Sequence, residues 1–267
     1  MSERTLSEIW IYPIKSFGGI RLKQARVLPK GLEHDRRWML IDEAGRFITQ
    51  REHPAMALFQ LTMQGNQLTI TSRRTSAQLS IPLSAPTGQA YPCVVWDDAI
   101  TALEPSARWS SWFSNQLGFT CRLVFFPEEN VRAVDPKYVA NNEQVSLADG
   151  YPYLLIGQSS LDDLNSRLKT PVEMQRFRPN FVVAGGVPYE EDTWKEFEIG
   201  TLRFKGIKRC ARCVLTTVNP ATAEKGPEPL FTLSRYRKEG NKIFFGQNVI
   251  ALRDNQFVRE GDEITLL

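Results

Sequence analysis

A chain of 267 residues is long enough for two modest domains, each burying a core without disulfides, and two are expected here. Hydrophobic residues at 42% and charged residues at 24% are ordinary for a soluble globular protein, which excludes disordered, collagen-like and fibrous classes. A net charge of +3 is too small for a nucleic-acid-binding chain, so no nucleic acid partner is expected.

MSERTLSEIWIYPIKS lacks the basic start and unbroken apolar run of a signal peptide, and no later stretch approaches the ~20 apolar residues of a spanning helix. Cysteines at 93, 121, 210 and 213 do not form a secreted disulfide framework, which favours a reducing compartment. A cytoplasmic location with no membrane contact is expected.

The first third reads as short strands. LSEIWIYPI, RRWMLIDE, GRFITQ, ALFQLTMQ, QLTITS and AQLSIPL alternate apolar with polar residues between Gly, Pro, Asn or charged breaks. SARWSSWFSNQLG predicts a helix, because Trp109, Trp112, Phe113 and Leu117 recur at helical intervals, with Ser106 as cap and Gly118 as stop. CRLVFF follows as a strand. Residues 127–152 are polar and aperiodic and read as a domain junction or a lid. Beyond them YLLIG is a buried strand, and SSLDDLNSRLK is a short helix with Leu161, Leu164 and Leu168 on one face and a Ser160 to Asp163 capping pattern. NFVVAG, EFEIG, TLRFKGI, VLTTV, KIFFGQNVIAL and DEITLL supply further strands, with a helix at EPLFTLSRYR. The fold class is α+β and β-dominated, and the many short strands of the second half suit a closed or nearly closed barrel.

Eight cations, Lys15, Arg36, Arg37, Arg176, Arg178, Lys208, Arg209 and Arg212, fall within four short segments that also carry turn residues. They read either as solvated surface or as the lining of an anion site. In KRCARCVLTTVNP, a lone Cys-x-x-Cys falls short of the four ligands of structural zinc, and a strand running on through VLTTV argues against a thioredoxin-like pair. In an extended segment Cys210 and Cys213 point to opposite faces, so one thiol is expected to be functional and the other packed. Cations adjoin both, and local sequence does not choose between them. FRPN sets Arg178 and Asn180 about a rigid Pro179, where a guanidinium and a carboxamide suit a phosphate or the amide edge of a heterocycle. YPIKS ends a strand with Lys15 and Ser16, and Gly18 and Gly19 leave room for a ligand to approach the backbone. HDRRW adds Arg36 and Arg37. Together they describe a pocket for a large anionic heterocycle carrying a soft metal.

In order along the chain, YPIKS, DRRWMLID, SLDDLNSRLK, FRPN with YEEDTWKEFEIG, CARCVLTTVNP, EPLFTLSRYR and FGQN resemble the MOSC family. The likeness is to its two-domain branch, which includes the mitochondrial amidoxime-reducing component and bacterial proteins protecting against hydroxylated purine bases. That resemblance implies a MOSC-associated N-terminal domain at 1–126, a MOSC β-barrel domain at 127–267, and a molybdenum cofactor (molybdenum–molybdopterin) between them. It also implies that Cys213 is the metal ligand and catalytic cysteine, with Cys210 supporting the loop. Lys15, Ser16, Arg36, Arg178, Asn180, Ala211 and Arg212 are implied as cofactor-binding residues. The expected activity is a detoxifying reduction of small N-hydroxylated compounds such as amidoximes, hydroxylamines and N-hydroxylated bases. GDEITLL ends the sequence without the cysteines of a [2Fe–2S] domain, so either the electrons are expected from a separate ferredoxin-, flavin- or cytochrome b5-type donor protein, or the sequence is a trimmed form. No pyridoxal phosphate fold is expected. A non-catalytic carrier of cofactor or sulfur is the alternative that the same pocket suits.

Overall fold

The structure, a computed structural model, describes residues 3–84, 86–139 and 143–267. The first half forms β1 (Thr5–Ile11), β2 (Ile20–Leu22), β3 (Gln24–Leu28), β4 (Gly31–Leu32), β5 (Trp38–Ile41), β6 (Phe59–Gln64), β7 (Gln67–Ser72), β8 (Gln78–Pro82), β9 (Gln89–Val95), β10 (Asp98–Glu104), α1 (Ala107–Leu117) and β11 (Arg122–Phe125). The second half forms β12 (Tyr153–Gly157), α2 (Gln158–Ser166), β13 (Phe181–Ala184), β14 (Glu196–Ile199), β15 (Leu202–Ala211), α3 (Leu230–Ser234), β16 (Lys238–Glu239), β17 (Lys242–Ala251), β18 (Phe257–Arg259) and β19 (Ile264–Leu266).

The largest sheet runs β19-β14-β15-β17-β12-β13-β1-β2. β1 also returns to its far end: Leu6 N–H donates to Asp262 C=O at 2.9 Å and Ile264 N–H donates to Arg4 C=O at 2.9 Å. These bonds close the sheet into the expected barrel, whose interior holds Ile9, Leu155, Phe181, Phe197 and Phe204. Phe197 and Phe204 stack with centroids 5.8 Å apart. The chain's first strands therefore complete the barrel of its second half, and β3 pairs with β18 beside it.

Smaller sheets, β5-β11-β10-β9 and β6-β7-β8, enclose a second core with α1. Phe113 of α1 is fully buried there against Phe17 and Phe59, and Trp109 and Trp112 flank it. Gly118 ends the helix in the left-handed region at φ 81°, as the sequence predicts.

Several local expectations differ. Ser106 stands at the N-cap of α1, but its side chain makes no capping bond. Ser160 lies inside α2, and its hydroxyl donates to buried Glu191 instead of capping. GRFITQ forms only isolated bridges, because Asp42 and Arg46 draw the chain into a turn. VLTTV is not a strand: Val214–Thr217 is a single 3-10 turn. The hydroxyls of Thr216 and Thr217 donate to the carbonyls of Cys213 and Val214, offering the backbone an alternative to a ladder. Of residues 127–152, 140–142 lie outside the described residues.

Candidate functional site

Where the barrel meets the second core, a cavity of about 300 Å³ opens, within the range of small-molecule sites. Lys15, Ser16, Arg36, Arg178, Asn180, Ala211, Arg212 and Cys213 all line it. Of the eight clustered cations, Lys208 joins them. Arg37 turns instead to Glu128, Arg209 to Glu239, and Arg176 to the carbonyl of Thr217.

The 3-10 turn changes the reading of the two thiols. β15 stops at Ala211, and the bend that follows brings both Cys210 and Cys213 to the cavity wall. Neither is packed away; Cys210 is half-buried and Cys213 is exposed. Arg212 donates to Cys210 Sγ at 3.0 Å and to the Phe177 carbonyl at 2.6 Å, so Cys210 helps to fix that guanidinium. Arg51 Nε lies 3.2 Å from Cys213 Sγ.

Ser16, Arg36 and Arg178 have φ of 69°, 48° and 56°, in the left-handed region that non-glycine residues rarely adopt. Strain of this kind gathers at functional sites, where the surrounding fold holds it. Arg36 donates to Asp35 at 2.7 Å and to the Arg178 carbonyl at 3.1 Å. Its guanidinium and that of Arg178 lie 4.3 and 4.2 Å from the Tyr12 ring centroid, favourable cation–π spacings. Burial, then the neighbouring charge of Arg36, pulls the Arg178 pKa down to about 10. Asn180 gives its carboxamide to the fold. Its Oδ1 accepts from Leu154 N–H at 3.2 Å and Arg36 at 3.3 Å, and its Nδ2 donates to the Trp10 carbonyl at 3.1 Å. The residue is buried, and its carboxamide ties Arg36 to the backbone of Leu154 and Trp10.

Gly18 and Gly19 do not line this cavity. A Cβ at Gly19 would stand 2.6 Å from the Tyr12 ring, and one at Gly18 would stand 2.9 Å from the Phe59 carbonyl. Their close neighbours are protein.

Two charged lining residues carry no signal in the sequence. Asp149 joins Lys15 at 2.6 Å and Arg51 at 2.6 Å. Asp149 itself is exposed, and the two cations hold its carboxyl well below the usual carboxylate range. Burial in turn brings Lys15 down to about 8, against the opposing pull of Asp149. Counting Arg51, six cations and one carboxylate face the cavity. Arg51 lies just past a misread strand and Asp149 in the aperiodic segment, and neither carries a local motif.

A family model described as MOSC N-terminal beta barrel domain matches residues 3–120, and one described as MOSC domain matches residues 142–265. Mitochondrial amidoxime-reducing component 1 of Homo sapiens is 34% identical over 284 residues, covering 98% of this chain and 83% of that protein. Mitochondrial amidoxime reducing component 2 of Rattus norvegicus is 35% identical over 245 residues, covering 87% and 72%. Molybdenum cofactor sulfurase of Oryza sativa subsp. japonica is 31% identical over 295 residues, covering all of this chain but 34% of that longer protein.

Proposed function

Because the chain belongs to the MOSC family, we propose that its basic cavity holds a molybdenum cofactor through Cys213. The protein then reduces N-hydroxylated compounds, such as amidoximes, hydroxylamines or N-hydroxylated bases, with electrons from a separate donor protein. One observation carries this reading: an exposed thiol on the wall of a cavity faced by six cations and a single carboxylate. Thiolate sulfur suits a soft metal, and guanidinium groups suit a phosphate. The names of the two amidoxime-reducing relatives support the reductase over the carrier.

The residues fit such a group. Arg212 lines the cavity, yet its Nε is buried without a partner, and an anionic ligand would supply the missing acceptor. Cys213 would hold the metal, and Lys15, Arg36, Arg51, Arg178 and Arg212 would face the negative charge of the group. When bound, the cofactor supplies the two-electron reduction of N–OH to N–H and water, with uptake of two protons. The chain's own part is electrostatic and positional. Arg51 presents a charged donor to Cys213 Sγ. Asp35, Asn180 and Tyr12 fix Arg36 before any ligand arrives, so little ordering is left for binding to drive.

Protein purified from a host that makes the cofactor is expected to carry molybdenum and pterin. Cys213→Ser should lose nearly all of the metal, and Cys210→Ser should keep most of it. Equal loss from both substitutions would sink the ligand assignment. Turnover of an amidoxime with a chemical or protein electron donor separates the reductase from a carrier, which would retain metal without turnover.

A further inference from the structure

A second cavity, of about 470 Å³, adjoins the first through one side chain, since Arg51 lines both. Four rings, of Phe47, His53, Trp96 and Phe119, stand in its wall among the charged side chains of Asp42, Arg46, Arg51 and Glu52. Phe47 and Trp96 meet edge to face with centroids 5.0 Å apart, and His53 and Phe119 lie 4.3 Å apart. The Arg51 guanidinium sits 4.8 Å from the Trp96 ring centroid while its Nε reaches Cys213 Sγ. The groove thus begins one guanidinium away from the thiol.

Trp96 is the unusual member. It is 46% exposed and contributes little to either core. It occupies the first position of the two-residue loop between β9 and β10, whose flanking residues Val95 and Asp98 pair, and its φ is 57°. Such positions favour Asn, Asp or Gly, and a bulky residue held there is strained. The indole is held there by its edge-to-face contact with Phe47 and by its Nε1, which donates to Asp149 Oδ1 at 3.4 Å. It stands over Arg51 at the mouth of the groove. The Asp42–Arg46 pair neutralises itself, and it and Glu52 line the groove together with the rings.

We infer that this groove is a specificity subsite, in which Trp96, Phe119 and their aromatic neighbours receive the flat aryl or heteroaryl body of a substrate whose N–OH group lies beside Cys213. The inference rests on the reductase reading of the main cavity for what happens at the N–OH end. Recognition in the groove is separate, since stacking against rings and Arg51 selects planar, uncharged bodies over small aliphatic ones.

The test compares benzamidoxime with acetamidoxime on the holoprotein. Trp96→Ala and Phe119→Ala are each expected to lower the benzamidoxime-to-acetamidoxime ratio of kcat/KM at least ten-fold, mostly through KM. Calorimetric titration should show benzamidoxime binding weakened at least ten-fold in both variants. Phe119 touches neither Arg51 nor Asp149 through any bond described above, so it guards against an effect of Trp96 on the cofactor site. An unchanged ratio with unchanged benzamidoxime affinity in both variants overturns the subsite, as does an equal fall for both substrates. If the wild-type protein binds benzamidoxime but turns over neither compound, the reductase reading fails, and weaker binding by the variants still upholds the subsite.

Discussion

Burying an ammonium costs free energy that only a nearby anion can recover, and Lys15 meets that condition through Asp149. Burial still prevails, and the Lys15 pKa falls from 10.5 to about 8. Between those values the unfolded chain holds the proton and the folded chain does not, so raising the pH through this window favours the fold. The contribution is fully present above 10.5 and is lost as the pH falls to about 8. Urea titrations at intervals from pH 7 to 9.5 should therefore show the stability of wild type rising relative to Lys15→Met; parallel curves would refute the assignment. The cationic hold on a bound anionic group moves the opposite way, weakening above pH 8 as Lys15 gives up its charge. Lys15 was legible in the sequence because it sits in YPIKS, a turn with a recognisable pattern. Asp149 and Arg51 were not, because what makes them functional is their meeting across 98 residues of chain, and neither has a neighbour that marks it.

At the scale of elements, local structure is legible where one periodicity dominates. α1 was legible because four bulky residues repeat at helical spacing and a glycine follows, and its core-facing Phe113 is fully buried as expected. The segment after Cys213 failed the same test in an instructive way. VLTTV is rich in β-branched residues, which favour strands on average, but its threonines spend their hydroxyls on carbonyls three residues back. A side-chain hydrogen bond decided what propensity alone could not. β9 and β10 went unread for a related reason: a proline lies within the first, and both alternate weakly. The turn at Val214–Thr217 sets the direction of Cys213, so removing the Thr216 hydroxyl has a predictable effect. Thr216→Val keeps the shape of the side chain, leaves the Cys213 carbonyl without that donor, and should cost about 1 kcal/mol of stability. Thermal denaturation measures that loss, and metal analysis of the purified variant should show partial loss of molybdenum with pterin reduced in proportion. Full metal retention would mean that the turn does not govern the thiol.

Across the whole molecule, the cavity is a joint product of both halves of the chain. Lys15, Ser16, Arg36 and Arg51 come from the first, and Asp149, Arg178, Arg212 and Cys213 from the second. A cut between residues 126 and 127 separates chain segments but passes through a sheet, because β1 lies between β13 and the end that leads into β19. Removing it would uncover two strand edges of the barrel and take fully buried Leu6, Ile9 and Ile11 out of its core. At about 1.5–3 kcal/mol for each such side chain, the loss approaches the entire stability of an ordinary domain. Residues 127–267 expressed alone are therefore expected to be insoluble or to lack a cooperative unfolding transition. The same fragment expressed together with residues 1–126 should recover a soluble complex, since β1 can enter the barrel from a separate chain, and that complex should co-purify with molybdenum. A lone 127–267 fragment that unfolds cooperatively at a midpoint near that of the intact protein would show that β1 is an accessory to the barrel and that the second half carries its own fold.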